Sequence, residues 1–99
     1  MGFVQTIDVE TEDSGALAHH LAAWHADQHG VAPGYQGYRL LADRDRPRRF
    51  RIVVDFNSAA DAKTNDRRPE TAAWAAKLSE LTTAPPGFGN FDSVAESGS

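Results

Sequence analysis

The stretch Gly34–Asp61, GYQGYRLLADRDRPRRFRIVVDFNSAAD, constrains the fold more than any other part of this 99-residue chain. In it Phe50, Ile52, Val54 and Phe56 alternate with Arg49, Arg51, Val53 and Asp55, the period-two pattern of a strand with one buried face. The spacing predicts a strand over Arg49–Phe56 and an antiparallel partner over Tyr35–Ala42. Their connection, Asp43-Arg44-Asp45-Arg46-Pro47, is too charged and too rich in turn residues to be buried. Ser58, three residues ahead of Asp61, is placed to cap a short helix reaching about Asn65. A hairpin that runs straight into a capped helix puts sheet and helix in one folding unit.

The flanking segments complete the pattern. Phe3, Ile7 and Val9 share one parity against Val4, Thr6 and Asp8, which predicts a first strand with Gln5 as the polar residue on its apolar face. Asp13 or Ser14 caps the next helix, whose stripe is Leu17, Leu21 and Trp24, and the helix should stop near Gly30 before the Pro33-Gly34 turn. Pro69 suits the first turn of a last helix, where Glu70 complements the helix dipole. Its stripe is Trp74, Leu78 and Leu81, and Pro85-Pro86 ends it. Phe88–Val94 can return as an edge strand. The order β-α-β-β-α-(α)-β is the α+β, ferredoxin-like split βαβ arrangement: a four-stranded antiparallel sheet with helices on one face. We expect one domain over residues 1–94 and a disordered tail over 95–99.

Such a sheet leaves one face bare. Val4, Thr6, Asp8, Arg39, Arg51, Val53 and Asp55 lie on it, a mixture suited to a polar but closed contact, and a chain of this size has difficulty covering a sheet on both sides. The expectation is a homodimer in which two sheets pack face to face, with Arg39 or Arg51 pairing with Asp8 or Asp55 across the interface.

The net charge of −4 argues against nucleic acid or an anionic membrane surface as a partner, since phosphate binding needs a clustered positive field. The arginines from Arg44 to Arg51 alternate with Asp43 and Asp45 at a hairpin tip and read as a solvated edge. No cysteine is present, which removes disulfides and thiolate chemistry together. No basic leader with an apolar run and no membrane-span-length apolar segment is seen, so a cytoplasmic location is expected. All four histidines, His19, His20, His25 and His29, fall on the first predicted helix. His25 and His29 share a face, but two imidazoles are an incomplete metal site, and no metal is expected.

The run PGYQGYRL, the charged turn, RFRIVVDFNSAADA and then RRPETAAWAAKLSEL resemble the dimeric α+β barrel superfamily, especially small proteins of the antibiotic-biosynthesis monooxygenase type. The resemblance covers roughly residues 3 to 94 and implies a homodimer with a pocket between helices and inner sheet face that holds a hydrophobic or aromatic small molecule. The implied lining is Gln5, Ile7, Trp24, Tyr38, Ile52, Val54, Phe56, Trp74 and Leu78. Such proteins include cofactor-free oxygenases with an Asn and a Trp four residues apart on the third strand. Here those positions are Ile52 and Phe56, which donate no hydrogen bond. The haem-degrading branch needs a histidine on a later helix, and Pro69–Leu81 has none. If the chain is an enzyme, His25, beside Leu21 and Trp24 on the helical wheel, is the candidate general base. The reading is therefore a homodimeric barrel protein of uncertain activity, non-catalytic or cryptic, that binds a hydrophobic or aromatic small molecule without a cofactor; its alternative is a cofactor-independent monooxygenase acting on an aromatic polyketide-like or quinol substrate.

Overall fold

A computed structural model of the chain describes residues 2–97. Strand β1 (Phe3–Glu10) leads into helix α1 (Ser14–Gln28). The hairpin β2 (Tyr35–Ala42) and β3 (Arg49–Phe56) follows, then helices α2 (Ala59–Asp66) and α3 (Pro69–Leu81), and strand β4 (Gly87–Asp92). The sheet order is β2-β3-β1-β4, with every neighbouring pair antiparallel. Strand β3 is thus inserted between β1 and β2, and β1 between β3 and β4, which is the α+β, ferredoxin-like plan expected from the sequence. The last strand ends at Asp92, short of Val94, which is exposed. Part of the expected tail, residues 98 and 99, lies outside the described residues; residues 93–97 form neither helix nor strand.

Local signals explain the element ends. Asp13 caps α1 by accepting the Ala16 amide on Oδ1 at 2.9 Å, and Ser58 caps α2 by accepting the Asp61 amide on Oγ at 3.1 Å. Thr11, almost fully buried, accepts from the Asp13 amide and donates its hydroxyl to the Leu81 carbonyl at 2.7 Å. One side chain therefore ties the start of α1 to the last turn of α3. Gly34 sits at φ 63°, in the left-handed region that favours glycine, where the Pro33-Gly34 turn enters β2.

Both helix stripes land on the same sheet face. Ile7, Val9, Ile52, Val54 and Phe56 from the strands, Leu17 and Leu21 from α1, and Leu78 from α3 form one core. Each fully buried Leu or Ile contributes on the order of 1.5–3 kcal/mol by leaving water. Along the rows of the sheet, Ile7 pairs with Ile52 and Phe88, and Gln5 pairs with Val54 and Asn90. The opposite face carries Val4, Thr6, Asp8, Arg39, Arg51, Val53, Asp55 and the exposed ring of Phe91. Arg51, expected to pair with an aspartate across two subunits, has one within its own chain. Arg51 Nε lies 2.7 Å from Asp8 Oδ1 of its own chain, because the register sets the two residues opposite each other on adjacent strands. Arg39 has no ion pair among the described residues.

Candidate functional site

A cavity of about 400 Å³ opens between the helices and the inner sheet face. That is within the range of roughly 300–1,000 Å³ typical of small-molecule pockets. The sheet supplies Gln5, Ile7, Tyr35, Tyr38, Val54 and Phe56, with Phe88 and Asn90 from the edge strand. Leu21 and Trp24 come from α1, Asn65 and Asp66 from the end of α2, and Thr71, Ala72, Trp74 and Ala75 from α3. Phe88 is 60 % exposed, so the rim on the β4 side is apolar and wet.

Two of the nine residues expected at a ligand pocket lie elsewhere. Ile52 and Leu78 are 0 % and 1 % exposed and do not border the cavity. They belong to the packed core with Leu17 and Leu21 and work as packing. Gln5, Ile7, Trp24, Tyr38, Val54, Phe56 and Trp74 do border it.

Tyr35 escaped the sequence pattern for a specific reason. Strict alternation back from Tyr38 places Gln36, not Tyr35, on the inner face. A bulge between Tyr35 and Gly37 inserts one extra residue, so Tyr35 pairs with Phe56 and Gly37 with Asp55. Both tyrosines consequently face the helices. Asn65, Asp66 and Thr71 escaped because they sit at a helix–helix corner, where periodicity carries no information about which polar residue turns inward.

The aromatic wall is ordered by mutual contact. Trp24 and Trp74 approach with ring centroids 5.6 Å apart at 51°, and the His20 ring stacks on Trp74 at 5.2 Å while its Nε2 lies 3.0 Å from the Trp74 carbonyl. The Trp74 indole Nε1 is buried without a hydrogen-bond partner. Such a donor normally has one.

His25, the candidate general base, does not border the cavity. Its Nδ1 is 2.8 Å from the Tyr35 hydroxyl, and its ring stacks on His29 at 4.8 Å. It meets the cavity wall at Tyr35 and, edge-on at 5.8 Å between ring centroids, at Tyr38. Burial first, and then the charges of Tyr38 and Asp55, push the Tyr35 phenol up to about 12. The titratable carboxyl at the cavity is Asp66, which partial burial raises above its ordinary value. Among the described residues no group of three or more His, Asp or Glu gathers as a metal site, and no helix is long and apolar enough to cross a membrane.

No family model and no curated protein matches this chain. Solved structures do. A proposed antibiotic biosynthesis monooxygenase from Nitrosomonas europaea superposes with a TM-score of 0.78 at 16 % identity, over 98 % of this chain and 94 % of its own. Rv0793 from Mycobacterium tuberculosis gives a TM-score of 0.77 at 16 % identity, over 99 % and 100 %. A mutant of SnoaB, a cofactor-independent oxygenase from Streptomyces nogalater, gives 0.76 at 17 % identity, over 96 % and 95 %. The chain has the α+β fold of the antibiotic biosynthesis monooxygenase-type structures. At these identities the likeness is one of fold, and the chemistry has to come from the cavity.

Proposed function

We propose that the protein is a homodimer that binds a hydrophobic or aromatic small molecule in the cavity between its helices and sheet, and that it does so as a binding protein. The observation that carries this reading is the cavity wall. Trp24, Trp74, Tyr35, Tyr38 and Phe56 converge on an open space of about 400 Å³ instead of filling it. Aromatic rings in contact with one another normally close such a gap, and a flat ligand offers the ring faces a partner. Gln5 and Asn90, paired across β1 and β4, place two amides on one side for orientation. The bare sheet face, with Val4, Leu41 and Phe91 among charged residues, supports the dimer.

Tryptophan fluorescence tests the reading, since Trp24 and Trp74 are the two tryptophans of the chain and both border the cavity. An anthraquinone-type ligand should quench with saturation at one molecule per chain. Quenching that grows linearly with concentration, with no saturation, contradicts it.

A second reading, cofactor-independent oxygenation, draws on Asp66 and on the fold shared with SnoaB. A carboxylate with raised proton affinity beside an aromatic ligand can remove an acidic proton from it, and the resulting carbanion or phenolate can pass electrons to dioxygen directly. His25 would act only through the Tyr35 hydroxyl. Ligand-dependent oxygen uptake that disappears in Asp66→Asn supports this reading; binding with uptake at background rules it out for that ligand class.

A further inference from the structure

The corner where α2 meets α3 contains an amide whose orientation is fixed by its neighbours. Asn65 is 4 % exposed, and its Oδ1 accepts hydrogen bonds from Arg68 Nη1 at 3.2 Å and from Thr71 Oγ1 at 3.1 Å. A guanidinium only donates, so the amide atom facing Arg68 has to be the oxygen. The Nδ2 group is therefore turned away from both partners, and it makes no hydrogen bond among the described residues. Asn65 itself borders the cavity, which is the open space beside this amide. A nearly buried amide donor left free in this way stands ready for an acceptor.

We propose that Asn65 is a specificity-determining residue of the cavity. Its Nδ2 donates to a carbonyl oxygen on the bound aromatic molecule, with Arg68 and Thr71 as positioning residues, and the site selects carbonyl-bearing rings over hydrocarbons of the same shape. The inference rests on the binding reading above. Asp66, the next residue, borders the same corner and offers an acceptor for a hydroxyl beside that carbonyl.

The test compares 9-fluorenone with fluorene, which differ by one carbonyl oxygen, by equilibrium dialysis against the full chain. The wild type should bind the ketone about tenfold more tightly, the effect of one well-made hydrogen bond. In Asn65→Leu the preference should vanish while fluorene affinity stays within about twofold. Thr71→Val, which leaves Asn65 present but frees half of its anchor, should retain a reduced preference of roughly two- to fivefold, and it decides the matter should Asn65→Leu fail to fold. Equal binding of the two molecules by the wild type overturns this inference and leaves the binding reading standing. A preference that survives in Asn65→Leu but is lost in Trp74→Phe assigns the donor to the indole Nε1 and overturns it as well. Binding of neither molecule overturns the binding reading, and this inference with it.

Discussion

The Nδ1 of His25 lies 2.8 Å from the hydroxyl of Tyr35, and of the two side chains only Tyr35 borders the cavity. The phenol accordingly links the imidazole to the cavity wall. When His25 is neutral with Nδ1 unprotonated, the Tyr35 hydroxyl donates to it. When Nδ1 carries a proton, the imidazole donates to the phenol oxygen and the Tyr35 O–H turns toward another acceptor.

Burial first, and then the charges of Tyr38 and Asp55, govern the behaviour of Tyr35 at high pH. Tyr35 is raised to about 12, so the fold favours the neutral phenol. The stabilisation this gives is fully present below the unfolded-state value of about 10 and is lost as pH climbs from there through the folded value. A spectrophotometric titration should show a tyrosine component near 12 that Tyr35→Phe abolishes. If that component persists in Tyr35→Phe, the assignment fails.

Asp66 works with the same sign in the acid range. Its raised carboxyl means the fold favours the protonated form, so its contribution is favourable below the unfolded-state value and is lost as pH rises through the folded one. Near neutral pH the ionised group is therefore a burden on the fold. Asp66→Asn should unfold at a temperature equal to or above that of the wild type at pH 7, with the gap shrinking toward pH 3. A lower unfolding temperature at pH 7 would show that the carboxylate is instead held by a favourable partner.

Gly34 couples the turn before β2 to α2. Its φ is 63°, and a Cβ there would come within 2.6 Å of the Asp61 Cβ and run into its carboxylate. Strain from the left-handed conformation and the collision should together cost Gly34→Ala at least ~2 kcal/mol. In a domain of this size that lowers the unfolding temperature by roughly 10 °C. A loss below a degree or two would mean that the turn relaxes freely.

The outer sheet face should separate subunit association from folding. Phe91 is 57 % exposed, and its ring lies over Gly89, where a Cβ would meet Phe91 Cε2 at 2.8 Å. A charge there disturbs little within the chain but lies on the sheet face proposed for the contact. Light scattering should report a particle of twice 10.8 kDa for the wild type and a folded monomer for Phe91→Asp. A wild-type monomer at micromolar concentration contradicts the dimer.

Much of this architecture could be read from residue pattern. Alternation in Arg49–Phe56 and the caps at Asp13 and Ser58 translate into dihedral and hydrogen-bond requirements that the neighbours do not override. The cavity was less legible. Ile52 and Leu78 have the same apolar character as the lining residues, and only their complete burial separates filling from lining. Tyr35 depended on a one-residue bulge, which reverses parity without a proline or glycine at the inserted position, Gln36. The amide of Asn65 is oriented by Arg68 and Thr71 on the next helix, a relation set by the α2–α3 angle and absent from any local pattern.

The cavity is most directly tested by closing it. Ala75 borders it from α3 and is half-buried, so Ala75→Trp should fill the space from the rim without entering the core. Calorimetric titration with an anthraquinone-type ligand should give one saturable site per chain in the wild type and none in Ala75→Trp, with both proteins unfolding within a few degrees of each other. Equal binding by the two proteins would contradict a ligand site between the helices and the sheet.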